Sequence, residues 1–303
     1  HLSHDRIDEI LELRWHRGYI VEAKVHVSEE EWTGPEPAQL LADLLACPSA
    51  LFLRALWVGC TWNDDEWMGV MDRNLAAVAA AGPLEHLRKL TIADPEHYWD
   101  ISSTVVGDVS AAIQAAPRLR ELEAVGGEIW ISDLTHEHLE VLTLRTGGLP
   151  GESALALGQS LLPALRRMTV YFGADNYGGT ASIDDLAGIL TGEGFPALEH
   201  LGLVDAEFQN EIAALVASSQ ILPQLRSLDL SLGTLTDAGA EAIAAAAPRF
   251  AHLQRLDLRK SFLTPAGSAL LRQALPNVEI IDAEQRTPST WSGTPHYYVS
   301  VAE

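Results

Sequence analysis

Asp229, Asp257 and Asp282 recur at unit-like intervals, each directly behind an apolar residue (Leu228-Asp229-Leu230, Leu256-Asp257-Leu258, Ile281-Asp282-Ala283). On adjacent strands, roughly 5 Å apart, three such carboxylates form a negative stripe. Like charges side by side cost stability, so a stripe of this kind attracts a cation or a basic partner side chain. Arg226, Arg255 and Arg259 are near enough in sequence to neutralise it internally, and both readings stay open. Other chemistry-bearing residues read as ordinary structure. His136-Glu137-His138 lacks the spacing of a zinc-protease helix and directly precedes a strand, so it reads as a solvated turn. Cys47 and Cys60 are too far apart for a zinc knuckle and read as two reduced, half-buried thiols. Tyr177-Gly178-Gly179 lacks the Lys and Ser/Thr that a phosphate cradle requires and reads as a flexible insertion. No catalytic residue, cofactor site or metal site is assigned.

The element that must position these residues is a repeat. Leu-x-x-Leu-x-Leu occurs in clear form at Leu198–Leu203, Leu225–Leu230 and Leu253–Leu258. Weaker copies extend it backwards through Leu165-Met168-Val170, Leu139-Leu142-Leu144, Leu119-Leu122-Ala124, Leu87-Leu90-Ile92 and Leu53-Leu56-Val58 to Ile20-Ala23-Val25. Val278-Ile281-Ala283 extends it forwards. The mean spacing of roughly 28 to 29 residues is long for such a unit. It shortens between Leu119 and Leu139 and lengthens between Leu165 and Leu198. Each core alternates inward and outward, the period of a half-buried strand.

Helical stretches lie between the strands. Thr236 caps an Ala-rich run to Ala247, Thr264-Pro265 opens a helix over Ala266 to Leu275, and Ser182 to Asp185 has the form of a capping box. A strand and a helix per unit, stacked in parallel, give an α/β solenoid: a horseshoe with a parallel sheet on the concave face and helices on the convex face. The unit Leu228-Asp229-Leu230 followed by Leu235-Thr236-Asp237-Ala238-Gly239-Ala240 resembles the ribonuclease-inhibitor-like class of leucine-rich repeats. The segment from Leu11 to Gly59 is similar to bacterial leucine-rich proteins associated with a repeat-companion domain. The resemblance implies the fold and a bacterial cytoplasmic setting, without a reaction. That class places Asn three residues after the last strand Leu, where this chain has Ala206, Gly233 and Ser261. Its ascending turns must satisfy their backbone in another way, and looser loops are expected. The expected organisation is an N-terminal capping helix over 1–18, about ten repeats over 19–284, and a C-terminal tail or cap over 285–303.

The formal net charge is −22, divided as −14 over residues 1–150 and −8 over 151–303. A field of that sign repels phosphate backbones and anionic membranes, and points to a protein or peptide partner of basic character. On the concave face the expected partner-binding residues are Lys24, Trp57, His200, Asp229, Ser231, Asp257, Arg259 and Asp282. A second set, Trp62, Trp67, Trp99, Trp130, Tyr171 and Tyr177, is expected on the ascending-loop rim with at least two aromatics exposed, since Trp and Tyr anchor interfaces. The expected function is a non-enzymatic binding scaffold. The alternative is a regulatory or assembly subunit of a bacterial enzyme complex. More remote is a small metal-dependent hydrolase using the stretch from Asp175 to Asp185.

Overall fold

The computed structural model describes residues 10–26, 36–59, 69–93, 101–102, 105–132 and 134–301. Its strands are β1 (Leu11–His16), β2 (Tyr19–Val25), β3 (Ala55–Val58), β4 (Lys89–Ile92), β5 (Val105–Asp108), β6 (Glu121–Val125), β7 (Gly127–Trp130) and β8 (Val141–Arg145). There follow β9 (Arg167–Gly173), β10 (His200–Ala206), β11 (Ser227–Asp229), β12 (Arg255–Asp257), β13 (Glu279–Ile281), β14 (Ser289–Trp291) and β15 (Thr294–His296). The helices are α1 (Pro37–Ala46), α2 (Val70–Ala80), α3 (Ser110–Gln114), α4 (Gly151–Gln159), α5 (Ala187–Thr191), α6 (Gln209–Ser218), α7 (Asp237–Ala245), α8 (Ala247–Phe250) and α9 (Pro265–Ala274). Thr236 and Thr264 accept hydrogen bonds from the first-turn amides of α7 and α9. Ser182 and Asp185 close a capping box on the 3-10 turn ahead of α5.

Eleven strands form one sheet in the order β1-β2-β3-β4-β6-β8-β9-β10-β11-β12-β13, parallel throughout except for β1. The repeat frame sets the register. Ala23, Leu56, Leu90, Leu122, Leu142, Met168, Leu201, Leu228 and Leu256 lie side by side across it. These residues form one continuous apolar core against the helices, where each unit buries the face its neighbour cannot cover alone.

Three features depart from the sequence expectation. Leu11–His16, expected within a capping helix, is a strand antiparallel to β2. Its alternating Leu11-Glu12-Leu13-Arg14 suits a half-buried strand, and Arg17 and Gly18 both have positive φ (50° and 83°), as a tight type I′ hairpin turn requires. The short unit after Leu119 has a strand, β7, in place of a helix; it pairs with β5 in a second small sheet. At the far end Leu256 pairs with Ile280, so Ile281 and not Asp282 lies beside Asp257. The Val278-Ile281-Ala283 frame is therefore slipped by one residue.

The ascending turns have found substitutes for the missing Asn. The residue closing successive turns is left-handed: Gly173 (φ 66°), Asp205 (58°), Leu232 (72°), Lys260 (52°) and Glu284 (58°). At Gly173 the Gly147 carbonyl fills the space where a Cβ would stand. Buried Gln209 donates to the Leu203 carbonyl and accepts from the Ala206 amide. Gln285 donates to the Leu258 carbonyl and accepts from the Leu263 amide. Two of these turns are thus tied by glutamine amides rather than loose.

Candidate binding surface

Strand alternation sends one set of side chains into the core and the other onto the concave face. The lower concave row, from β2 onward, is Glu22, Ala55, Lys89, Glu121, Val141, Arg167, His200, Ser227, Arg255 and Glu279. The row above it is Lys24, Trp57, Thr91, Glu123, Thr143, Thr169, Gly202, Asp229, Asp257 and Ile281. Glu12 and Arg14 of β1 join these rows beside Lys24 and Glu22. Acidic and basic residues alternate here and are largely paired. Arg14 binds Glu22, Lys24 binds Glu12 at 2.8 Å, and Lys89 binds Glu121. Of the expected acidic stripe the register keeps Asp229 beside Asp257 and drops Asp282.

The reason is visible at the C-terminal end. Asp257 is buried and held by Arg255 at 3.0 Å and Arg259 at 2.9 Å. Burial raises its proton affinity, but hydrogen bonds from Arg259 and Arg255 outweigh it and hold the carboxyl below its usual range. Its neighbour Asp229 goes the other way: burial lifts its pKa, and Asp257 adds to the rise. Asp229 also accepts from the Ser231 amide at 2.9 Å, and Ser231 itself is buried. Asp282 has left the row, and Arg272 of α9 binds it at 2.6 Å. His200 Nδ1 lies 2.6 Å from Ser227 Oγ, while desolvation and then Arg167 depress its pKa. His200, Ser227, Asp229 and Asp257 line a polar cavity of about 390 Å³ in which Arg255 and Arg259 are already engaged.

The N-terminal end differs. A trough of about 540 Å³ runs over β1 to β4, lined among others by Leu13, Ala23, Lys24, Leu56, Trp57, Lys89 and Thr91. The half-buried Trp57 donates its indole N–H to the Ala93 carbonyl at 2.9 Å, which fixes the ring. Lys24 Nζ stands 5.7 Å from the ring centroid, within range of a cation–π contact. Of the residues expected at the concave site, Lys24 and Trp57 meet here, whereas His200, Asp229, Ser231, Asp257 and Arg259 gather at the other end. Glu12, Arg14 and Lys89 were missed from the sequence. The period-two pattern of residues 11–14 was the signal for the first two, and the outward position beside Leu90 the signal for the third.

Among the rim residues, Trp62, Trp67 and Trp99 lie outside the described residues. Trp130 ends β7, in the small sheet beside the helices rather than on a loop rim, and is half-buried. Tyr171 is half-buried and packs with Trp57 and Val301 around Ala93, Ile101 and Val125. Tyr177 is half-buried in a 3-10 turn. None of these three is an exposed docking residue; the exposed aromatics among the described residues are Trp15, Tyr19, Trp291, Tyr297 and Tyr298, near the ends of the sheet. His136 is buried, not solvated: its Nε2 bonds the Ala116 carbonyl at 3.0 Å and its Nδ1 accepts the His138 amide. Cys47 is a half-buried free thiol, and Cys60 lies outside the described residues. Among the described residues no group of three or more His, Cys, Asp or Glu is placed to hold a metal, and no helix is long and apolar enough to cross a membrane.

The C-terminal tail lies over the ascending turns. The β14–β15 hairpin leads into a strap whose Ser300 and Val301 amides donate to Asp205 Oδ1 at 2.9 and 3.0 Å. Arg286 donates to the Lys260, Leu232 and Gly233 carbonyls at 2.7 to 3.0 Å and sits 4.4 Å from the Phe262 ring centroid. Asp205 is fully buried, and burial pushes its pKa to about 7 against the pull of the two amides and Arg286.

A leucine-rich-repeat family model matches residues 223–244, the unit holding β11 and α7. A solved Bacteroides fragilis protein superposes on 87% of this chain and 72% of its own, with TM-score 0.69 at 26% identity. This chain is a leucine-rich-repeat protein. The leucine-rich-repeat solenoid is also similar to a Leptospira interrogans LRR protein (17% identity, 88% of this chain and 56% of that one, TM-score 0.36). A Listeria monocytogenes internalin is a further match (14% identity, 94% and 90%, TM-score 0.30). A search of curated proteins found no match.

Proposed function

We propose that this leucine-rich-repeat chain is a non-enzymatic scaffold that takes a protein or peptide in the trough at the N-terminal end of its concave sheet. The observation that carries this is the fixed Trp57 ring between Lys24 and Thr91 in that trough. A half-buried, pre-oriented aromatic is the residue type that dominates interface energetics, and its rigidity reduces the ordering cost of binding. The paired charges around it would set register more than strength, and the overall charge of −22 would speed encounter with a basic partner. The non-enzymatic part rests on the dyad of His200 and Ser227: among the described residues nothing bonds His200 Nε2, so no third group orients the base as nucleophilic catalysis requires. The few cysteines favour a reducing compartment such as the cytoplasm.

The test is selection of a displayed peptide library on the purified chain, with winners measured on Trp57→Ala and on Asp257→Asn. Winners should lose at least tenfold in affinity on Trp57→Ala and little on Asp257→Asn, and should weaken as salt is added. Winners indifferent to Trp57→Ala would move the site elsewhere and end this reading.

A further inference from the structure

The edge of the sheet where the chain enters each strand has its own repeating column. The residue before each strand's first outward position has a carbonyl that accepts the amide of its counterpart in the next unit: Arg54 from Arg88, Arg88 from Arg120, Arg120 from Glu140, Glu140 from Arg166, Arg166 from Glu199, Glu199 from Arg226. Adjacent side chains therefore stand roughly 5 Å apart. Beyond Arg120 the signs alternate, and Glu199 lies between Arg166 at 3.4 Å and Arg226 at 3.5 Å. Before it, Arg54, Arg88 and Arg120 stand in succession, and Arg118 joins them from the preceding turn. Two carboxylates serve these four: Glu140 at 3.3 Å from Arg120 and Glu85 at 3.8 Å from Arg118. Arg54 pairs with no carboxylate among the described residues.

Four guanidinium groups against two carboxylates would be unremarkable on a basic protein. On one of net charge −22 they are a local reversal, and like charges on neighbouring strands are destabilising unless something anionic lies between them. Arg88 registers this: burial, then the charges of Arg118, Arg120 and Arg54, lower its proton affinity. Its Nη1 is anchored on the Glu85 and Leu87 carbonyls at 2.9 and 2.8 Å, so the guanidinium is oriented before any ligand arrives. Arg88, Arg118, Arg120 and His138, with Ala164 and the Arg120-bound carboxylate of Glu140, surround a cavity of about 210 Å³, the size of a single anionic group rather than of a whole ligand. Tyr19 and Phe52 meet edge to face and Phe52 and His86 at a tilt, in successive units and with ring centroids 4.6 and 4.8 Å apart, an aromatic cluster on the same strand-entry edge for the neighbouring part of a peptide.

We propose that this rim is a second binding site, which captures a phosphate monoester carried on a side chain of a partner protein. A tetrahedral dianion matches the forked geometry of two or more guanidinium groups. The surrounding negative field excludes extended polyanions such as nucleic acid, whereas a single phosphate screened within about 10 Å can reach its pocket. The site runs along the strand-entry edge next to the Trp57 trough, shares no lining residue with it and is independent of the reading given to it.

The experiment is fluorescence anisotropy with labelled peptides of one neutral sequence containing phosphoserine, Ser or Glu, and inorganic phosphate as competitor. The phosphoserine peptide should bind at least tenfold more tightly than the other two, and phosphate should displace it. Arg88→Gln/Arg120→Gln should abolish the preference, while Arg166→Gln/Arg226→Gln, in the alternating stretch, and Trp57→Ala should keep it. Thermal melts show that the variants are folded, and Arg88→Lys/Arg120→Lys should regain part of the binding. Equal binding of all three peptides, phosphate binding without a peptide preference, or equal loss in both arginine pairs would overturn the proposal.

Discussion

The two ends of this solenoid treat their charges in opposite ways. From β9 onward the charges at the heart of the sheet and its turns have fixed partners: Asp257 has two arginines, Asp282 has Arg272, Glu199 lies between Arg166 and Arg226, and Arg286 spans three carbonyls. From β1 to β6 the concave pairs are exposed, the rim arginines exceed their carboxylates, and a trough stays open around Trp57. A set of charges satisfied internally has little left for a visitor; one left unmatched is held at a cost that a ligand can remove. The comparison assigns stability to the C-terminal half and recognition to the N-terminal half.

The sharpest way to break that assignment is Arg286→Ala. It removes a charged donor from three carbonyls and from the Phe262 ring, at the turns to which the strap is tied through Leu232 and Asp205. Leu232 and Asp205 sit at positive φ, a conformation costing about 1–2 kcal/mol for most residues, so the turns lose their clamp as well. A loss of about 3 kcal/mol is expected by urea denaturation, with peptide binding at the Trp57 trough kept in the folded protein. A loss below about 0.5 kcal/mol would show that Arg286 does not hold the C-terminal turns.

A pair of opposite pH responses within that half tests the same assignment. Asp205 has a folded pKa near 7, above its unfolded value of about 3.8. Its contribution is therefore complete below the unfolded value, declines as pH rises from about 4 to 7, and is level above. Asp205→Asn retains an acceptor for the Ser300 and Val301 amides and tolerates the left-handed backbone. Its stability relative to the parent should climb across that window, by at most about 1.4 kcal/mol per pH unit, and then plateau. Asp257 is the reverse, with its pKa lowered by its arginines. Its contribution is complete above the unfolded value and lost as pH falls through the folded one, so Asp257→Asn should cost stability at pH 7 and cost progressively less as pH falls below the ordinary carboxylate range. Denaturation midpoints across pH for the two variants would sink this account if both moved in the same direction.

What the sequence could and could not convey follows the same division. The register of β2 to β12 was legible because Leu-x-x-Leu-x-Leu puts two buried side chains per strand at fixed spacing, and burial tolerates few alternatives. The slip at Asp282 was not, because Ile280 and Ile281 both offer an apolar residue near the required place. β1 was read as a helix since Ile7, Ile10 and Leu11 also fit a helical stripe; the period-two run and Arg17-Gly18 competed with it. Charge pairing was hidden for another reason. Glu199 meets Arg166 and Arg226 only because units about 27 to 33 residues apart are stacked in register, and the strap reaches Asp205 across more than ninety residues. No local pattern encodes such contacts, although the column Arg54-Arg88-Arg120 can be read once the frame is known.

The smallest expected effect is also the most discriminating. Replacing Arg226 by Gln removes one of two cations beside Glu199, which is mostly shielded from solvent, and should cost a few tenths of a kcal/mol to about 1 kcal/mol, as surface pairs do. Replacing Arg88 by Gln removes a cation whose neighbours are Arg54, Arg118 and Arg120. Its stability in phosphate-free, low-salt buffer should be unchanged or slightly raised, although two carbonyls lose a donor. The sign of the difference between these substitutions measures whether the N-terminal column is strained by its own charge. If Arg88→Gln were the more destabilising of the two, the arginines would be structural supports, and the contrast between the two halves would lose its physical basis.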